Sequence, residues 1–522
     1  MKKNLIRLSV VAALTTSSFA SDINKEMLNQ IQALKAQIEA LEKKVAEQDV
    51  KQQAQTSAVT TVDEKRIEKI EKKLDTVSNT ATAAKIQSGN DNLKWDVDFR
   101  TQVDNIQYKH ADGSKSENNA LLTNRLWLGM AYKADDNSSF HGKLSYNKAF
   151  GDTANHSQSN TNPGYANFDW VTNENATDNT IKLKEAYWLY TQEKLFGSDI
   201  PWAASVGRRP STDGLPINIR NDQQANSPLS HVVDVEFDGF SIKFDTDTLT
   251  GLTGSWLKIC GGRGLTNAVP RFDMFSPAYS QDDDKNVDVD MLGFIAVPYD
   301  DGQYSVHMNY AKAWNLIGFD GQSLQSFNTT SSPSSTTAYN LQMATPSFKD
   351  VGDIDFATIL FKTEGIGDGI SDYLDNTIAF ASFAASKTNP NSLGMLGSTD
   401  SETGTSVWLG INAPCPITPD VAKIGFEWNK GSKYWRSMTY GEDTYAGSKI
   451  ATRGQAWEVY RNQQLTKSLT WGVSYVFMDY DYTGSNSFFG ADGTPMTMSQ
   501  AQAGQNPVAE AQDVRTYIRY KF

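Results

Sequence analysis

Beyond residue 20 the chain never assembles the run of about 18 apolar residues that a membrane-crossing helix needs. From residue 93 onward, apolar and polar residues instead alternate one for one in segments about ten residues long. Trp95, Val97, Phe99, Thr101 and Val103 alternate with Asp96, Asp98, Arg100, Gln102 and Asp104. Leu126, Leu128, Met130 and Tyr132 alternate with Arg125, Trp127, Gly129 and Ala131. Val289, Met291, Ile295 and Val297 alternate with Asp288, Asp290, Leu292, Phe294 and Ala296. A two-residue period sends each set to its own face of a strand. The connections alternate too: short turns such as 134–138, 245–250, 300–302 and 465–467 interleave with long polar stretches such as 152–178, 261–286, 315–350 and 484–512. Short turns at one end and long loops at the other are the pattern of a barrel inserted from one side of a membrane. The fold class expected is therefore an all-β antiparallel transmembrane barrel of about 16 strands.

Composition agrees once the two faces are averaged. Hydrophobic residues are 39% and charged residues 21%, yet aromatics reach 11%, and mean hydropathy is only −0.49. A barrel hides its membrane face in such an average. Aromatics near strand ends, at Trp95, Tyr132, Trp202, Tyr299, Tyr304 and Trp314, fit interfacial girdles. The net charge of −13, with no basic block, argues against nucleic-acid binding. Five scattered His and two Cys offer neither a metal site nor a disulfide scaffold. Cys260 falls at the outer end of one strand and Cys415 near the opposite end of another, too far apart to bridge. With no nucleophile–base set or G-x-S-x-G elbow, neither an enzyme nor a cofactor is expected.

Residues 1–20 read as a signal peptide. Lys2 and Lys3 precede an apolar stretch from Leu8 to Leu14, and Ser18-Phe19-Ala20 supplies the small residues of a cleavage site. Residues 21–80 read as a coiled-coil stalk. Met27, Ile31, Leu34, Ile38, Leu41 and Val45 alternate four and three apart, and the seam resumes out of register at Ile67, Ile70, Leu74 and Val77. So polar a helix folds only by pairing with copies of itself. Residues 81–92 are a linker and 93–522 the barrel.

The C-terminus carries the most specific pattern. Thr516, Ile518, Tyr520 and Phe522 alternate with Arg515, Tyr517, Arg519 and Lys521, and the chain stops on Phe522. With the signal peptide and coiled coil, this closing strand resembles that of Gram-negative outer-membrane porins. The arrangement of KLKEAYWLYTQEKLFG before WAASVGRRPSTDG is similar to uncharacterised porin-like proteins of epsilon-class proteobacteria with an N-terminal coiled coil. The resemblance implies a cell-outer-membrane porin passing small hydrophilic solutes and ions by passive diffusion, with its stalk in the periplasm. It also implies outer-membrane lipid, lipopolysaccharide and the barrel assembly machinery as partners, Tyr520 and Phe522 as the assembly signal, and a trimer. The seam alone leans toward a dimer. Contact between stalk and cell wall stays open, as do two alternatives: a substrate-specific channel, and an envelope tether or adhesin with a plugged barrel.

Residues assigned to the lumen wall by alternation are Asp96, Asp98, Arg100, Arg125, Lys182, Lys184, Asp234, Glu236, Arg515, Arg519 and Lys521, with Asp104, Lys143, Asp238, Asp288, Asp290, Asp355 and Lys423 on the same reading. Acids and bases balance, so selectivity falls to the narrowest point. In porins of this size the third external loop folds inward. Here it follows the strand at Trp202–Gly207 and carries Arg208, Arg209 and Arg220 against Asp213 and Asp222, a candidate constriction with a transverse field. Asp282, Asp284, Asn286 and Asp288 are spaced like the start of a calcium loop. Val287 stands where Gly is required, which leaves a solvated acidic loop as the stronger reading.

Overall fold

In the computed structural model the alternating segments pair edge to edge and close on themselves. The structure describes residues 93–151, 169–176, 179–266, 288–319, 348–502 and 506–522; the signal peptide, the stalk, the linker and Asp282, Asp284 and Asn286 lie outside them. The strands are β1 (Leu93–His110), β2 (Lys115–Lys133), β3 (Ser138–Ala149), β4 (Lys182–Gln192), β5 (Trp202–Arg209), β6 (Phe237–Asp245), β7 (Trp256–Leu265) and β8 (Val289–Asp300). They continue with β9 (Tyr304–Phe319), β10 (Phe348–Glu364), β11 (Ile378–Pro390), β12 (Thr403–Pro414), β13 (Ala422–Gly431), β14 (Gly454–Gln464), β15 (Leu469–Tyr480) and β16 (Val508–Lys521). Each strand pairs antiparallel with its sequence neighbours, and β1 pairs with β16 to close the barrel. Closure leaves no row of unpaired backbone groups. The expected sixteen antiparallel strands are present.

The connections sort by end. The turns 134–137, 301–303 and 465–468 lie at the end where β1 begins, and 210–236, 432–453 and 481–507 lie at the other. The first long-loop-end connection, 111–114, is brief because β1 and β2 are themselves extended.

Every strand places at least one large apolar side chain on the outer surface. Around the wall these include Phe99, Leu122, Phe140, Trp188, Val206, Phe240, Ile259, Phe294, Met308, Phe361, Phe383, Leu409, Phe426, Val459, Tyr475 and Ile518. Trp95, Tyr132, Tyr299 and Tyr304 are exposed near the short-turn rim. With an exposed apolar side chain on all sixteen neighbouring strands, the outside is an apolar band rather than the scattered single residues of a water-soluble monomer.

The seam between β1 and β16 is closed inside as well as along its backbone. Arg515 sits opposite Asp104, and its Nε donates to Asp104 Oδ1 at 2.6 Å. Arg519 Nε donates to Asp98 Oδ1 at 2.8 Å. On the outer face Tyr520 lies opposite Phe99 and Leu469. The Phe522 amide donates to the Val97 carbonyl at 2.9 Å, and the Val97 amide donates back at 3.0 Å.

Three alternations run opposite to expectation. On β8 the buried, inward residues are Val289, Ile295 and Val297, while Asp290 pairs with Arg263 at 2.7 Å on the exposed side. Asp355 accepts from the Tyr310 hydroxyl at 2.6 Å on the outer face of β10, between buried Ile354 and Phe356. Asp238 shares its face with exposed Phe240 rather than with buried Ser241. The reason lies in the lumen: Val289, Ala311, Ile354 and Phe356 pack on Val232, Val233, Val235, Trp435 and Met438 of the inserted loops. With apolar residues wanted on both faces, polarity no longer tells inside from outside.

Truncating Tyr520–Phe522 removes the Val97–Phe522 exchange and reopens both edges at the short-turn rim. We expect export to persist while the heat-modifiable gel shift of the closed barrel is lost. A normal shift from the truncated chain would show that closure does not need these residues.

Candidate functional site

Two long-end loops fold back into the barrel, each carrying charges that the wall lacks. The first is 210–236, between β5 and β6. Its entry is set by Gly207, whose φ of +121° lets β5 pass close to β4; a Cβ there would meet the Ala186 carbonyl oxygen at 2.4 Å. The helix α1 (Asp169–Thr172) precedes it in the chain, and the loop's own turn of helix is α2 (Ile217–Arg220). From α2, Arg220 reaches across the lumen to Glu442 at 3.0 Å, Glu458 on β14 at 3.1 Å and Glu427 on β13 at 3.6 Å. Beyond it the Asn221 carbonyl accepts from Arg519 Nη1 at 2.5 Å, and the Asp222 carbonyl accepts from Lys521 at 3.5 Å. The chain then returns past His231, whose two ring nitrogens bond to Ser382 on β11 at 2.7 Å and Ser406 on β12 at 2.9 Å. The loop thus leaves the wall at β5 and β6 and meets it again across the lumen along β11–β14 and β16.

The second loop, 432–453, lies beside the first. The Asp234 amide donates to the Met438 carbonyl at 2.6 Å, and the Met438 amide donates to the Val232 carbonyl at 2.9 Å. Its Asp443 faces three arginines of the wall, bonding Arg100, meeting Arg125 at 3.4 Å and lying 3.7 Å from Arg515. Its Lys449 binds Glu427 at 2.6 Å and also Glu458. Arg125 stacks on Trp127, 3.7 Å from the ring centroid. Burial opposes the Asp443 charge, but Arg100, Arg515 and Arg125 hold its carboxyl well below the usual carboxylate range. Burial likewise opposes the Arg220 charge, and Glu458, Glu442 and Glu427 outweigh it and raise its pKa.

These contacts bring together some of the expected residues and separate others. Asp98, Arg100, Arg125, Arg515 and Arg519 form one charged stretch of wall on β16, β1 and β2, with Asp96 and Lys521 at its short-turn rim. Lys182 begins β4, and Lys184 of the same strand binds Glu174, Glu236 at 2.7 Å and Thr212 at 2.7 Å. Asp234 and Glu236 belong to the first loop and not to a strand. Arg208 and Arg209 belong to β5, and they part company: Arg208 pairs with Asp169 of α1 and with Asp238 at 3.3 Å, whereas Arg209 donates to Ser205 at 2.5 Å and borders open lumen. Asp213 receives Asn221 at 2.8 Å. So Arg220 is opposed by three glutamates rather than by Asp213 and Asp222. The loop 432–453 carried no motif that sequence reasoning picked out; Trp435 between Lys433 and Arg436, and the Glu442-Asp443 pair, are the signals it offered. Asp288 pairs with Arg263 at 2.5 Å. Cys260 sits mid-strand on β7 rather than at its end, and Cys415 follows β12; both are free thiols.

Lumen remains open beneath the first loop. A cavity of ≈ 740 Å³ is walled by the short-turn halves of β4–β10 and roofed by residues 223–229.

Replacing Arg220 with Gln leaves Glu427 and Glu458 bound to Lys449 and leaves Glu442 without an ion-pair partner among the described residues. Removing one partner from a buried cluster of this kind costs about 3–5 kcal/mol. The first loop should become protease-sensitive, and ion flow should shift toward cations; unchanged resistance would place its anchor elsewhere.

Burial pushes the His231 imidazole down to about 3, so it is neutral in place. An undocked loop binds a proton below about pH 6.5 that the docked loop refuses down to about pH 3. Docking should therefore weaken as pH falls through that window, by about 1.4 kcal/mol per unit. Proteolysis of residues 210–236 should quicken at pH 5 relative to pH 7, and more so in the native chain than in a His231→Gln variant; equal acid sensitivity would exclude the imidazole as the cause.

Comparison with known proteins adds a family and distant likenesses. Residues 115–522 match the family model described as "Protein of unknown function (DUF3373)". No curated protein matches. Among solved structures, OprB of Pseudomonas putida aligns with a TM-score of 0.43 at 11% identity over 82% of this chain and 94% of that one. OmpF of Salmonella typhi gives 0.41 at 10% identity over 83% and 99%, and an anion-selective porin from Comamonas acidovorans gives 0.41 at 11% over 82% and 100%. The barrel assignment rests on the strand pairing above, not on these likenesses.

Proposed function

The chain belongs to the family described as a protein of unknown function (DUF3373), and we propose that it is an outer-membrane channel through which small hydrophilic solutes and ions diffuse passively, its lumen narrowed by its own loops. One observation carries the reading. All sixteen strands turn apolar side chains outward, while charged wall residues such as Arg100, Arg125, Glu427, Glu458, Arg515 and Arg519 are buried against the lumen. Lipid is the solvent that tolerates such an exterior, and a closed barrel is the one sheet that can enter it. A sixteen-strand barrel is wide enough to enclose an aqueous channel, and the cavity under residues 223–229 is part of that space.

The extent of filling favours a solute-selective channel over a wide general pore. A second reading, an envelope tether with a sealed barrel, draws on the apolar cluster that Val232, Val235, Trp435 and Met438 make inside the wall. We further propose a trimer held by the exposed barrel walls, with the stalk of residues 21–80 in the periplasm.

Purified full-length protein in a planar bilayer separates these. Discrete conductance steps, smaller than those of a sixteen-strand barrel with an empty lumen, are the expected result. No current from a barrel that still shows the heat-modifiable shift would favour the sealed reading, and native mass spectrometry of the same preparation counts the chains.

A further inference from the structure

The open part of the lumen has an uneven charge balance. Four cations line it: Arg209, Lys243, Lys258 and Lys362. Two are spoken for, since Lys243 binds Asp245 at 2.6 Å and Lys362 binds Glu364 at 2.6 Å. The other two meet hydroxyls among the described residues: Arg209 Nε donates to Ser205 at 2.5 Å, and Lys258 Nζ donates to Ser227 at 2.6 Å. Among the described residues, neither has a carboxylate within the 4.0 Å of an ion pair. Elsewhere in this lumen Arg100, Arg125 and Lys184 meet loop carboxylates, and Arg519 and Lys143 meet carboxylates of neighbouring strands. Two like charges set in one half-enclosed wall without counter-charge hold a site that an anion would fill.

The remaining wall says what kind of anion. Tyr187, Leu189, Trp256 and Ile295 line the same cavity, and Tyr187 stacks on His141 with centroids 5.1 Å apart, which fixes its ring. An Arg fork suits a planar carboxylate, and aromatic and aliphatic faces suit an apolar body. The volume of ≈ 740 Å³ is that of a small-molecule site. Ser205 and Ser227 hold one proton each of Arg209 and Lys258, leaving their other N–H groups for a ligand.

We propose that this vestibule is a binding site for small organic anions, with the carboxylate held by Arg209 and Lys258 and the body lying on Tyr187, Leu189 and Trp256. The proposal deepens the channel reading and rests on it for its physiological sense: it names the solute class that the channel selects. An organic anion arriving from the short-turn end meets the site before it meets the loops.

Benzoate is the probe. Full-length protein in detergent, titrated calorimetrically with benzoate at low salt, should give a single class of site that weakens as KCl is raised. The double variant Arg209→Gln, Lys258→Met should bind at least about tenfold more weakly, and Lys258→Arg should keep most of the affinity. The heat-modifiable shift reports whether each variant is folded, and a double variant that fails it is replaced by Lys258→Met alone, for which a clear loss is again expected. Equal affinity in the folded variants overturns the proposal, as does absence of binding to the native barrel. Inorganic phosphate binding as tightly as benzoate, through the same two residues, overturns the organic class. Binding in detergent needs no conduction, so benzoate binding without bilayer current refutes the channel and leaves the site standing, whereas current without benzoate binding refutes the site alone.

Discussion

The inserted loops stay in the barrel because they carry the counter-charges of its wall. Arg100, Arg125 and Arg515 converge on Asp443, Glu427 and Glu458 on Lys449 and Arg220, and Lys184 on Glu174 and Glu236. In a lumen partly cleared of water, any of these wall groups left alone would carry a desolvation penalty of several kcal/mol. The loops and the wall are thus one electrostatic unit, and neither is well described without the other. Bringing Asp443 to β16, β1 and β2 and Arg220 to β13 and β14 also fixes where the chain between them runs.

That arrangement divides the lumen into two regimes. Along β13, β14, β16, β1 and β2 the loops meet the wall through ion pairs. Along β8–β12 they meet it through Val232, Val235, Trp435 and Met438 against Val289, Ala313, Ile354 and Phe356, with His231 spending both ring nitrogens on Ser382 and Ser406. The apolar side supplies cohesion that salt does not screen, and the charged side supplies direction. Along the short-turn halves of β4–β10 the described loop residues make no ion pair with the wall, and there the cavity opens.

How far the sequence could be read follows from the same division. On β16 the pattern was legible because one face is basic and the other is aromatic or apolar, and the structure puts Arg515 and Arg519 inside and Ile518 and Tyr520 outside. On β8 and β10 the face was misread. Asp290 and Asp355 look like lumen residues when polarity marks the inside, but lumen that is filled by apolar loop residues asks for Val289 and Ile354 there. Strand parity fixes which residues share a face; it does not say which face is in. The third long-end loop was placed by counting strands, and its Arg220 does lie in the lumen. The partners of Arg220 were not readable, because Glu427, Glu442 and Glu458 come from later strands and a loop that local pattern cannot bring together.

The balance of acids against bases along the wall therefore says little about what the lumen prefers. Among the charges that the alternation assigns to the inside, Arg100, Arg125, Arg515 and Lys184 meet a loop carboxylate while Asp98 and Asp104 meet an arginine of the wall itself, and a cancelled pair presents a weak field to a passing ion. What acts on a solute is the remainder. Arg209 and Lys258 are such a remainder, because Lys258 meets Ser227 of the first loop and Arg209 meets Ser205 of its own strand in place of a carboxylate. On the channel reading proposed above, selectivity is then decided by where the loops withhold a counter-charge rather than by where the wall supplies one.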